Sequence, residues 1–251
     1  MTTPEQITQL LATREQPPES ITREVLVRTA LADLYMVVDG PVGPVHVGFT
    51  PLGVSSIVPT ADEEQFLADH ARRVGRHAYP GELPEKLGNR LNRVFDTGRL
   101  GNLPVDLRQL TGFQQHVLEV TASIPPGQVR PYGWVAREMG NEGAVRAVGS
   151  ALARNPVPIA IPCHRVVRSD GTLGNYAFGT PLKRSLLEHE GMSEFEDKTY
   201  NGCTTTGIYC FTTCSHARRV APQNRVEFAD PKRAEAAGFR ACKVCRPASG
   251  G

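Results

Sequence analysis

In "VPIAIPCHRVVRSDGTLGNY" (residues 157–176) an apolar run delivers a cysteine directly onto a histidine and then stops at the turn signal RSDG. A free thiol has a pKa of about 8.5 and only its thiolate attacks carbon well, so a nucleophilic cysteine needs a base or a cation beside it. His164 stands next to Cys163, and a carboxylate orienting that imidazole would complete a Cys/His/acid relay. The competing use of Cys163 is as a buried core thiol on a strand, the commoner fate of a lone cysteine. Neighbouring strand residues face opposite ways, so the pair cooperates only if the strand ends at this point.

A second group of thiols lies further on, in "TTGIYCFTTC" and "GFRACKVC". Cys210-x3-Cys214 and Cys242-x2-Cys245 are two close pairs, and each short loop presents two sulfurs to one ion, as tetrahedral Zn²⁺ requires. Two disulfides are the other use of the same spacing. Cys203 lies outside the pattern and receives no role.

The remaining chain must position these groups. Its 251 residues, 40% hydrophobic and 22% charged, suit a globular protein of one or two ordinary domains. No apolar run approaches the roughly 20 residues of a spanning helix, and the first residues carry acids without a signal-type apolar stretch. The expectation is a soluble, cytoplasmic, nucleoid-associated protein that makes no membrane contact, keeps its thiols reduced and works as a monomer. The net charge is +2, but residues 199–251 carry eight Lys/Arg against three Asp/Glu. A polyanion partner is compatible with that tail, as is an ordinary solvated basic surface.

Between residues 33 and 58, short β-rich runs alternate with Gly/Pro turns and predict an antiparallel meander. "TADEEQFLADHARRVG" predicts a helix, with Thr60 as its N-cap and Arg72 and Arg73 in its last turn. From Thr111 the pattern becomes helix after helix: "TGFQQHVLEVTASIPPGQ", "YGWVAREMG", then "EGAVRAVGSALARNP". The last two, joined at Gly140 and Asn141, have the length and tight turn of a helix-turn-helix, although structural hairpins share that form. "TPLKRSLLEHEG" predicts a final helix, and "MSEFEDKTY" a polar linker. The expected division is 1–105, 106–191, a linker at 192–199, and 200–251.

"NPVPIAIPCHRVVRSDGTLGNYAFG", with "RAVGSALAR" before it and "LLEHEG" after it, resembles the O6-alkylguanine-DNA alkyltransferase family over about residues 112–191. The resemblance implies a small ribonuclease-H-like α/β domain, a helix-turn-helix-containing alkyltransferase domain, and double-stranded DNA containing O6-alkylguanine as partner. It implies Cys163 as single-use alkyl acceptor, His164 as its base through a bridging water, and Glu190 as the carboxylate holding the imidazole. It further implies Asn155 as the hinge between recognition helix and active-site loop, and Arg146 in the gap left by the flipped base. Tyr132 presses on a neighbouring phosphate, while Val166 and Tyr176 line the pocket. Phe178 stands where a small residue is common, and is expected to narrow that pocket.

Physical chemistry agrees with these roles. An atom stacked inside a duplex is out of reach, so the base must be extruded, and a helix of small residues suits close approach to a groove. The segment 200–247 resembles the zinc domain of Ada, which implies that Cys210 is a second acceptor, taking methyl from a backbone methylphosphotriester, with Arg240 near DNA. An ordinary closed zinc module is the alternative for that segment. For the whole chain, the competing class is a non-reactive damage sensor signalling through the zinc module. Relatives that only bind lack the acceptor cysteine, which this chain has.

Overall fold

The computed structural model describes residues 19–169, 172–192, 200–211, 214, 216–245 and 247. The first part is mixed α/β: helix α1 (Glu19–Arg28), strands β1 (Asp33–Gly40), β2 (Gly43–Thr50) and β3 (Gly53–Val58), helix α2 (Glu63–Val74), strand β4 (Ala78–Pro80) and helix α3 (Glu85–Thr97). The sheet runs β3-β2-β1-β4, antiparallel except that β4 lies parallel to β1. The meander is therefore as expected, with an added parallel edge strand. The helix cap differs from expectation, because Asp62 rather than Thr60 caps α2, its carboxylate accepting from Gln65 N–H at 3.0 Å. A carboxylate three residues ahead of that N–H meets both the capping geometry and the helix dipole. The Thr60 hydroxyl turns instead to the Gln65 side chain.

The helical part follows as α4 (Gly112–Ala122), β5 (Arg130–Pro131), α5 (Tyr132–Glu138), α6 (Val145–Ala153), β6 (Val166–Val167) and α7 (Thr180–His189). Thr111 closes a capping box with Gln114 at the start of α4. A 3₁₀ turn at Glu142–Ala144 leads into α6, so α5 and α6 form the expected helical hairpin.

Strand β3 is buried along its whole length because both parts cover it. Ile57 N–H donates to Pro156 O at 2.8 Å, and Val45, Val47, Val54 and Ile57 share one apolar core with Val117, Leu118, Val148 and Ile161. The segment that carries Cys163 is thus built against the sheet. Met192, the first residue of the expected linker, is buried with Val129, Val167 and Leu187, while 193–199 lie outside the described residues.

The C-terminal module has its own core and sheet, ordered β10-β8-β7-β9 from β7 (Tyr200–Cys203), β8 (Ile208–Phe211), β9 (Arg225–Phe228) and β10 (Arg240–Ala241), with α8 (Pro231–Ala236) between the last two. A Cβ at Gly202 would lie 2.6 Å from the Phe228 ring and 2.8 Å from Phe239, so only glycine fits below this aromatic pair. Among the described residues, no helix is long and apolar enough to cross a membrane.

Candidate functional site

The apolar run ends in a 3₁₀ turn, Cys163–Arg165, rather than continuing as a strand. Cys163 and His164 therefore share one turn, and the geometric condition for their cooperation is met. Asn155 builds the preceding loop. Its backbone N–H closes onto Leu152 O as α6 ends, its Oδ1 accepts from Val157 N–H at 3.0 Å, and its Nδ2 donates to Ile161 O at 2.9 Å and to Cys163 Sγ at 3.2 Å. Inside the loop, Ile159 holds φ at +74°, a conformation that costs a β-branched residue strain and persists only where the surroundings enforce it.

His164 is buried, with Nε2 at 2.9 Å from Glu190 Oε1 and with Nδ1 lacking a hydrogen-bond partner. Glu190 caps α7 and accepts from Gly127 N–H at 3.0 Å and from Arg165 Nε at 3.0 Å. Arg165 is 1% exposed; its Nη2 also donates to Glu190 Oε1 at 2.6 Å and to Gly98 O at 2.5 Å, and its Nη1 to Ile124 O at 2.6 Å. Burial alone would raise the Glu190 pKa, but the His164 and Arg165 hydrogen bonds outweigh it and hold the carboxyl at about 2. Burial pushes His164 below its ordinary value, opposed by Glu190, so the imidazole is neutral and able to take a proton.

Burial also pushes the Cys163 thiol up, and the Asn155 hydrogen bond together with the charges of Lys183 and Arg73 works against that rise. Lys183 is fully buried, donating to Val166 O and Leu173 O, both at 2.5 Å, and burial lowers its pKa to about 8. The thiol is therefore stored as S–H, on the same 3₁₀ turn as a neutral imidazole. Sequence reasoning gave no role to Arg165 or Lys183 and read Arg73 only as a helix-end charge. Charged residues set among "VPIAIPCHRVV" and "LKRSLL" were the one available signal.

Arg146 is exposed on the outer side of α6, together with Val145, Ala147 and Ser150, while Val148, Ala151 and Leu152 face the core. The Tyr132 ring lies against Gly149 and Gly174, and its hydroxyl donates to Asn175 O at 3.4 Å, joining the helix hairpin to the 172–179 loop. The Tyr176 hydroxyl is buried near Cys163, and burial raises its pKa well above the ordinary value. Val166 is fully buried in the cluster that holds Cys163 and against which Tyr176 packs, with β6 paired to β5 and the Val166 carbonyl held by Lys183. Phe178 is half-buried at the end of this loop. It packs against the Tyr35, Val58 and Phe66 cluster of the first part, edge-on to Tyr176 at 5.8 Å.

In the C-terminal module Cys210, Cys214, Cys242 and Cys245 are buried, with sulfurs all within 4.8 Å of one another. Four thiolates crowded this closely repel unless a cation lies among them, and an all-sulfur tetrahedral set fits Zn²⁺. Cys203 stands apart, near Thr205 Oγ1 at 3.1 Å. Arg240 is exposed on β10.

Comparison with known proteins places these features. The family model described as "6-O-methylguanine DNA methyltransferase, DNA binding domain" matches residues 112–192, and "Metal binding domain of Ada" matches 189–248. A methylated-DNA–protein-cysteine methyltransferase of Salmonella typhimurium is 42% identical over 133 residues, covering 51% of this chain and 75% of that protein. The bifunctional transcriptional activator/DNA repair enzyme Ada of Escherichia coli is 48% identical over 92 residues, 37% of this chain and 26% of that one. The OGT of Mycobacterium tuberculosis, solved in complex with DNA, superposes with a TM-score of 0.52 at 31% identity, covering 64% of this chain and 96% of that one. With a buried Cys-His turn, a helical hairpin and a four-cysteine module so matched, the chain belongs to the methylated-DNA–protein-cysteine methyltransferase family.

Proposed function

We propose that this chain repairs duplex DNA by moving an alkyl group, methyl in the simplest case, from O6 of guanine to Cys163, once per molecule. The Sγ–carbon bond forms as the O6–carbon bond breaks, the bonding electrons return to the guanine, and the thiol proton passes through His164 to the restored base. A thioether has no easy leaving route, so the reaction is stoichiometric.

The observation that carries this reading is the run of contacts from Asn155 to Cys163 and from His164 to ionised Glu190 on one buried turn. The neutral imidazole with its unpartnered Nδ1 suits uptake of the thiol proton through a bridging water, and Glu190 stabilises the imidazolium that results. On this reading Asn155 is the hinge, Tyr132 aids flipping from the hairpin, Arg146 fills the gap in the stack, and Tyr176 with Val166 backs the guanine pocket. The chain divides at about 105 and 191, the first part being ribonuclease-H-like, as three antiparallel strands with a parallel fourth support. A monomer suffices for this chemistry.

Zn²⁺, when bound, keeps thiolates deprotonated at neutral pH, and Cys210, Cys214, Cys242 and Cys245 would hold it. Cys210 and Cys242 both line a pocket with His216, Arg219 and Thr206, and of the two the likeness to the Ada metal-binding domain favours Cys210 as second acceptor of methyl from a backbone phosphotriester. Exposed Arg240 would then meet DNA.

Incubating the protein with a duplex containing O6-methylguanine tests the main reading. One methyl per chain transferred and guanine regenerated supports it; binding without transfer leaves the damage-sensor reading in its place.

A further inference from the structure

The Arg73 side chain reaches from the first part to the Asn155–Phe178 region by several routes at once. Arg73 stands in the last turn of α2, its side chain 6% exposed, with Nε 2.5 Å from Asp69 Oδ2. Its Nη1 donates to Ala153 O at 2.7 Å and to Asn155 O at 3.1 Å. Its guanidinium carbon lies 5.0 Å from the centre of the Phe178 ring, which in turn meets Tyr176.

We propose that Arg73 is a positioning residue for alkyl transfer, locking the end of α6, the Asn155 hinge and the Phe178 loop so that Cys163 is presented at a fixed depth beside its base. This rests on the alkyl-transfer reading above. The last carbonyls of a helix have no intrahelical donors, and a cation there also meets the negative end of the helix dipole. Arg73 supplies both to α6 from another part of the fold. It grips the backbone of the residue whose side chain holds Sγ, so a shift of one is a shift of the other. The planar guanidinium does this with one face on an aromatic ring and its edge on carbonyls, a combination that an ammonium does not reproduce. Asp69 fixes the fork from its own helix, which leaves Nη1 for the hinge.

The groups facing Cys163 are Asn155, Lys183 of α7, Tyr176 of the loop, Tyr132 of α5 and Arg73 itself. Arg73 and Lys183 both favour the thiolate. Loss of Arg73 therefore has two signatures: a slower chemical step, and a later onset of reactivity as pH rises.

The test measures single-turnover methyl transfer at saturating O6-methylguanine duplex against pH, with Kd for an undamaged duplex and thermal melting on the same full-length proteins. Arg73→Met is expected to melt as a folded protein, to lose about ten-fold or more of the saturating rate, as small misplacements of reacting groups do, and to shift the rate profile to higher pH with Kd little changed. Arg73→Lys is expected to restore the profile but only part of the rate. If Arg73→Met does not fold, Arg73→Lys decides alone, a reduced saturating rate supporting the assignment and a wild-type rate overturning it. A folded Arg73→Met with wild-type rate and profile, or with a loss confined to DNA affinity, also overturns it. Failure of the wild-type protein to transfer methyl would instead remove the reading on which the assignment rests.

Discussion

Asn155 and Cys163 are joined by a hydrogen bond of 3.2 Å from the amide Nδ2 to the thiol sulfur, and the same amide ties off the loop between them. The end of α6 and the thiol are thus one mechanical unit. Asn155→Ala leaves Val157 N–H and Ile161 C=O without their partner, and a buried unpaired group costs about 1–3 kcal/mol. Denaturant unfolding is expected to show about 2 kcal/mol of destabilisation. The thiol also loses a contact that favours its thiolate, so alkylation by a small reagent should require higher pH than in the wild type.

Glu190 gives the fold an acid limit. Its folded pKa of about 2 lies below the ordinary 4.5, so the stability it contributes is present above about pH 4.5 and is lost as pH falls toward 2. Buried His164, pushed below 6.5, acts in the same direction, since it must be neutral in the fold and stability declines as pH falls below that value. Glu190→Gln should cost roughly 3 kcal/mol at neutral pH, by leaving Arg165 without its counter-charge. It should also flatten the acid limb between pH 4.5 and 2, both read from urea unfolding across pH. An unchanged acid limb would show that the carboxyl is not held ionised.

Arg146 projects from α6 without a partner in the core. Arg146→Ala is expected to leave stability within about 0.5 kcal/mol, as surface changes do. The same variant should slow methyl transfer from duplex more than from a single strand, where the base is already unstacked. Equal losses on both substrates would assign Arg146 to general affinity.

Zinc should bind one per chain. Cys214→Ser or a strong chelator is expected to release the metal and unfold the C-terminal module, seen as lost protection in hydrogen exchange over 200–245. Cys203→Ser should retain full zinc content, because Cys203 lies outside the four-sulfur cluster.

Much of this was legible in sequence because the chemistry sits in short motifs. Cys163 and His164 are adjacent, Glu190 closes a helix with a clear apolar stripe, and the four cysteines have ligand spacing. Arg73, Arg165 and Lys183 were not legible as site residues, since their partners are mainly backbone carbonyls of distant segments, which leave no trace in residue type. Val166 follows the reactive turn directly in sequence, and its side chain packs in the same apolar cluster as Cys163, with Tyr176 against it. Phe178 is visible in sequence as a bulky residue close to the pocket, but its aromatic neighbours in the first part and the Arg73 guanidinium over its ring come from distant segments and leave no local signal. The cap at Asp62 instead of Thr60 is a local contest between two good capping residues, settled by the stronger acceptor.

The central claim is that Cys163 takes the alkyl group. Its most direct test is peptide mass spectrometry of the full-length protein after reaction with an O6-methylguanine duplex. The expected result is a gain of one methylene mass on the Cys163 peptide, complete at one equivalent of DNA and absent in Cys163→Ala. An unmodified Cys163 peptide in protein that binds the damaged duplex would contradict it.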